Sequence, residues 1–158
     1  AAIMYGDEHV RNAAAEELHE IDAGATKQAL FSAAVGDFEP SLRSAAATSL
    51  HHLDTENAFQ AFLRAATWNR DKGIRQAAAE AMHTIDGERA RRIFADALRQ
   101  SRTWKVRRRS ADALAHIGGQ EALEALQYAI EHDKSQEVKR AASEAHAAAS
   151  SALEPGDL

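Results

Sequence analysis

Eight histidines in a chain of 158 residues, three of them spaced at intervals of 32, are the first side chains here whose type and spacing suggest chemistry. His19, His51 and His83 share one register, and His52 and His116 fall one position later in it. Imidazole is the commonest metal ligand, but its nitrogen must lie about 2.0–2.1 Å from the ion. Equivalent positions on successive packed helices are about 8–10 Å apart, so one such column cannot chelate one ion. Near the end of a helix an imidazole is instead favoured by the helix dipole. The His-Glu pair occurs once, at His19-Glu20; the matching positions read His51-His52, His83-Thr84 and Ala115-His116. With no cysteine there is no thiolate nucleophile, no disulfide and no cysteine zinc site. No phosphate-binding loop, nucleophile elbow or His-Glu-x-x-His zinc motif occurs. The expectation is a protein without catalytic residues, metal or cofactor.

The cations are more informative. Arg11, Arg43, Arg75, Arg107 and Lys139 recur at the same interval. Each sits beside an aliphatic anchor near a helix start, where it can bond carboxylates or carbonyls of the adjoining repeat and hold the stack in register; that is favoured over an anion-binding ladder. The net charge of −5 also hides a segregation. Residues 70–109 carry twelve Lys or Arg against five Asp or Glu, whereas the remainder carries seven against nineteen. Arg92 and Arg99, seven residues apart, share a helix face with Arg91 adjacent, and Arg102, Lys105 and Arg108 continue toward the next helix. Equivalent outward positions give Gln28, Gln60, Arg92 and Glu124 in one column and Ser32, Arg64, Asp96 and Tyr128 in another. Arg64, Arg91, Arg92, Arg99, Arg102 and Tyr128 are therefore the candidate partner-binding residues. The alternative is a solvated face whose cations pair with Asp86, Glu88 and Asp96. Trp68 and Trp104 flank this region and are expected to staple helix starts in preference to stacking bases, the alternative being an exposed Trp beside Arg that would suit a peptide or nucleotide.

The elements that must position these side chains follow from the repeat itself. Val10-Arg11, Leu42-Arg43, Ile74-Arg75, Val106-Arg107 and Val138-Lys139 mark it without a gap. Ala14, Ala46, Ala78, Ser110 and Ala142 form a second column, and Leu18, Leu50, Met82 and Leu114 a third. Apolar residues at offsets 0, 4, 8 and 11 from the anchor trace one stripe of a helix, helix A. Asp7, Glu39, Asp71, Thr103 and Ser135 stand at its N-cap, and Pro40 at the tolerated first turn. It ends near Asp22, Asp54, Asp86 and Gly118, with Gly24, Gly87 and Gly118-Gly119 available for positive φ. A short turn leads to helix B, with Leu30, Phe62, Phe94 and Leu126 in one column and Ala33, Ala65, Ala97 and Ala129 in another. Alanine buries little area, so each hairpin must stack on its neighbours to be stable.

The run Asp71-Lys-Gly-Ile-Arg-Gln-Ala-Ala-Ala-Glu-Ala-Met-His-Thr-Ile-Asp86 resembles the HEAT-like repeats of the phycobilisome-lyase type, and the likeness spans about residues 6–150. The resemblance implies an all-α chain, an α-solenoid of about four helical hairpins plus a terminal capping helix. One domain, 1–158, is expected, with repeats at about 7–36, 37–70, 71–102, 103–134 and a partial one at 135–153. His146 in the last repeat departs from the Leu or Met of the others. The family includes chromophore-attachment factors, adaptors and di-iron hydroxylases, and the last need several His-Glu pairs that this chain lacks. The reading is a non-catalytic protein interaction scaffold whose concave face carries a basic central patch for an acidic protein segment. Nucleic-acid backbone binding is the alternative, disfavoured by acidic flanks and a pI near 5.9. A lyase-like accessory subunit of an enzyme is another. No apolar run is long enough to span a membrane, the cytoplasm is the expected compartment, and the chain is expected to be a possible part of a longer array.

Overall fold

In the computed structural model residues 23–153 are described, and every regular element among them is a helix. These are α1 (Ala23–Gly36), α2 (Pro40–Leu53), α3 (Thr55–Trp68), α4 (Lys72–Gln100), α5 (Trp104–Ile117), α6 (Gln120–His132) and α7 (Gln136–Ala152). The expected helix A positions are occupied by α2, the first arm of α4, α5 and α7; the helix B positions by α1, α3, the second arm of α4 and α6. The described part thus contains three complete hairpins with a further helix at each end. The helix A expected before α1, with Asp7, Val10-Arg11 and His19-Glu20, lies outside the described residues.

Helix starts fall where the capping residues stand. Glu39, Asp71, Thr103 and Ser135 are the N-caps of α2, α4, α5 and α7, all with extended backbone. Only two cap through their side chains: Asp71 accepts from the Ile74 N–H at 3.1 Å and Ser135 from the Val138 N–H at 3.4 Å. The turns inside the hairpins differ from expectation. Asp54 and Asp86 have nearly the same conformation, φ −155° and −156°, and each breaks the helix with one extended residue in place of a loop. Asp86 then caps the second arm of α4 by accepting from the Arg89 N–H at 3.0 Å. Gly87 is helical, and Gly24 lies within α1; among the described residues only Gly118 (φ 71°) and Gly119 (φ 97°) use positive φ. An aspartate can both end one helix and cap the next, so positive φ is needed only where Asp is missing.

The A helices form one layer, α2 against α4, α4 against α5 and α5 against α7, and the B helices cover it, with α1 and α3 reaching the A helices that follow. Stacking is visible across repeats: the Phe31 ring of α1 lies parallel to Phe62 of α3, with centroids 5.4 Å apart. Phe62, Phe94 and Leu126 of the B column and Met82 and Leu114 of the A column are wholly buried, between alanines such as Ala47, Ala78, Ala111 and Ala142. The large side chains each contribute about 1.5–3 kcal/mol, and alanine lets the backbones approach. The fold is an all-α solenoid. Two expectations fail locally. The anchor Leu42 is 53% exposed, and Trp68 is 58% exposed at the end of α3 and does not staple a helix start. No helix among the described residues is long and apolar enough to cross a membrane.

Candidate functional site

The arginine column builds the loops from which the site hangs. Arg43 Nη1 donates to the carbonyls of Asp37 and Phe38, Arg75 Nη1 to those of Asn69 and Arg70, and Arg107 Nη1 to those of Ser101 and Arg102. In these three repeats one guanidinium therefore satisfies the same two carbonyls of the preceding connection. Among the described residues Lys139 reaches only the Glu131 carbonyl, at 3.4 Å. Arg107 also makes a bidentate pair with Asp133, Nε to Oδ2 at 2.8 Å and Nη2 to Oδ1 at 3.1 Å, nearly out of solvent. Burial alone would raise the Asp133 carboxyl; the Arg107 bonds and charge and the Ser135 N–H outweigh it and hold it below its ordinary value. Within the A layer itself Glu80 of α4 joins three helices, with His116 Nε2 of α5 at 2.6 Å and Arg43 Nη2 of α2 at 3.4 Å.

Between the end of α4 and α6 this scaffold leaves a groove of about 450 Å³. Arg99, Arg102, Tyr128, His132 and Lys134 line it beside the Arg107–Asp133 pair. The Tyr128 and His132 rings stack, with centroids 4.4 Å apart, and the Arg99 guanidinium stands 5.7 Å from the centre of the Tyr128 ring. No carboxylate among the described residues pairs with Arg99, Arg102 or Lys134. Nor do Asp86, Glu88 and Asp96 pair with Arg92, Arg99 or Arg102; the nearby Arg89 pairs instead with Glu56 and lies 4.2 Å over the buried Phe59 ring.

Two further grooves continue along the B helices. One of about 360 Å³, between α3 and the second arm of α4, is lined by Leu63, Arg64, Trp68, Ile93, Ala97 and Val106. The next, of about 740 Å³ between α1 and α3, shares Arg64 and Trp68 with it. Ser101 lines both the 360 Å³ groove and the cationic one, so the three are neighbours along one face.

Of the residues expected to form one patch, Arg99, Arg102 and Tyr128 come together. Arg64 belongs to the adjoining grooves, and Arg92 is exposed on the same helices but lines none of the three. Arg91 is elsewhere: it packs at the hairpin turn, where a Cβ on Gly119 would stand 3.3 Å from its Cδ. Its register explains this, because the equivalent residues Phe59 and Leu123 are buried. Sequence reasoning missed His132 and Lys134. Lys134 was legible, since Arg70, Arg102 and Lys134 share one column; His132 joins through its stack on Tyr128, which spacing does not reveal. Among the described residues no group of three or more His, Asp or Glu could hold a metal ion, and His51, His83 and His116 converge on no shared site. Grooves in the A layer, such as that lined by Arg108, Asp112, Glu137, Arg140 and Glu144, mix both signs of charge.

No curated protein matches the sequence significantly. HEAT repeats match it over residues 27–102 and 92–152, most of the chain and nearly all of the described helices. With the stacked A and B layers this makes the chain a helical repeat solenoid, and it belongs to the HEAT repeat family.

Proposed function

We propose that this protein is a non-catalytic adaptor that binds an acidic segment of another protein along its B-helix face. The observation that carries the reading is the groove at Arg99, Arg102 and Lys134, three cations that pair with no carboxylate among the described residues, around a stacked Tyr128–His132 platform. Repeat stacks offer a long surface, and charge complementarity supplies specificity and encounter rate. The residue run Asp71–Asp86 supports the phycobilisome-lyase type of repeat, and a chain without cysteines suits the cytoplasm.

The test is a titration of labelled poly-glutamate and of labelled single-stranded DNA and RNA at several salt concentrations. Poly-glutamate is expected to bind at low salt, to weaken as salt rises, and to lose about tenfold or more in affinity in Arg99→Glu/Arg102→Glu. Equal binding by that variant overturns the reading. Oligonucleotide binding stronger than that of poly-glutamate replaces it by phosphate-backbone recognition, which exposed Asp96 and Glu124 on the same helices oppose. A lyase-like role requires binding of an added bilin, read by its absorbance.

A further inference from the structure

The cationic groove does not stand alone, and its neighbour has a different chemistry. Leu63, Ile93 and Ala97 are each half-buried and Val106 is buried at 8% exposure, while the Trp68 indole is 58% exposed beside them. Its walls are thus mostly apolar side chains from α3, α4 and the first turn of α5, with Gln60, the exposed Arg64, Thr67 and Ser101 also lining it. Most of its polar groups are already engaged: the Thr67 hydroxyl donates to the Leu63 carbonyl at 2.8 Å, the Thr67 carbonyl accepts from Arg109 Nη1 at 2.7 Å, Gln60 Nε2 donates to Glu56 at 3.4 Å and Ser101 Oγ accepts from the Thr103 N–H at 3.3 Å, while the Arg64 side chain is exposed. An apolar side chain packed on Leu63, Ile93 and Trp68 displaces water without stranding these paired groups, and the long Arg64 side chain keeps its head in solvent. At about 360 Å³ the groove has room for one large aliphatic or aromatic side chain.

Only the second arm of α4 separates the two grooves, and Ser101 belongs to both. Packed helices are about 8–10 Å apart and an extended chain advances about 3.3 Å per residue, so a strand crossing α4 covers about three residues between the two sites. We infer that the partner segment is a two-point motif. One large apolar residue sits at Trp68, Leu63 and Ile93, and one or two acidic residues about three positions away sit at Arg99, Arg102 and Lys134. This rests on the proposed acidic-segment reading and adds the anchor and the spacing to it. The apolar wall argues for a polypeptide: a phosphate backbone has no group that fills it, and a nucleobase stacked on Trp68 would set its polar edges against Leu63, Ile93 and Val106. The cations argue against a purely apolar ligand, because desolvating them without a counter-charge is unfavourable.

A displayed library of random dodecapeptides, selected on the whole chain and counter-selected on Arg99→Glu/Arg102→Glu, tests the motif. The expected consensus is a Leu, Ile, Phe or Trp about three residues from a Glu or Asp, in one chain direction. A synthetic consensus peptide should lose about tenfold in affinity when its apolar residue becomes Ser, when its spacing is lengthened by three residues, or when the protein carries Trp68→Ala. Ile93→Ser is the second variant, with circular dichroism reporting that both remain helical. An acidic consensus with no apolar position, or unchanged binding by Trp68→Ala and Ile93→Ser, overturns the motif while the acidic-segment reading stands. A library from which nothing is enriched over the charge-reversed variant overturns both.

Discussion

Arg107 has two tasks at once, closing the Ser101–Arg102 connection through their carbonyls and neutralising Asp133 where the next connection passes. Asp133→Ala leaves that guanidinium half-served in a nearly buried place, and is expected to lower stability by about 2 kcal/mol in urea unfolding. The folded-state value of the Asp133 carboxyl is depressed, so its contribution is present above the ordinary aspartate value and is lost as pH falls through the folded one. Between pH 7 and 3 the wild type should therefore lose more stability than Asp133→Asn, the difference appearing below about pH 4. Ser110 makes the opposite case. It is wholly buried, its hydroxyl has no partner among the described residues, and Ala46, Ala78 and Ala142 stand at its position in other repeats. Ser110→Ala should raise stability by about 1 kcal/mol, read as a higher melting temperature.

Hairpin turns decide how each repeat is set against the next. Asp54 and Asp86 make theirs with an extended backbone, and Asp54 is tied further by Asn57 and Lys27, whose hydrogen bonds hold its carboxyl below the ordinary value. The fourth repeat has Gly118-Gly119 instead, in a region of φ and ψ that only glycine enters freely. Gly118→Ala meets open space, so its expected destabilisation of about 1–3 kcal/mol measures backbone strain alone. Gly119→Ala should be worse by thermal melting, because the new methyl also presses on Arg91. Helix starts were legible because an N-cap needs a local side chain or backbone geometry. The turn geometry was not: Gly87 looked like a C-terminal cap and is a helical residue directly after Asp86.

The whole molecule is held by neighbours, since no single hairpin buries enough. α7 covers α5 and α6 through Val138, Ala141, Ala142 and Ala145, all buried. Deleting residues 135–158 is expected to lower the melting temperature by about 5 °C or more, by uncovering the apolar side of α5 and α6. Arg99→Glu/Arg102→Glu touches no core residue and should leave melting unchanged, which separates a loss of binding from a loss of fold. The charge map is also a whole-molecule property. A basic run in the chain becomes a site only where carboxylates do not reach it, and Arg89 and Arg107 leave the pool of free cations by pairing with Glu56 and Asp133.

The amino-acid sequence alone determined the repeat, the helical class, the N-caps and the column of arginines, because each of these is a local rule copied every 32 residues: an apolar stripe, a capping side chain, a cation beside an anchor. The tertiary structure alone decided which outward-facing cations share a groove. Arg91, Arg92 and Arg99 lie within nine positions of one another, yet Arg91 turns to a hairpin bend, Arg92 to open solvent and Arg99 to Tyr128. The reason is that a groove is the gap between two helices, and its walls come from residues about 32 apart whose approach is set by how closely the alanines between them allow the repeats to stack.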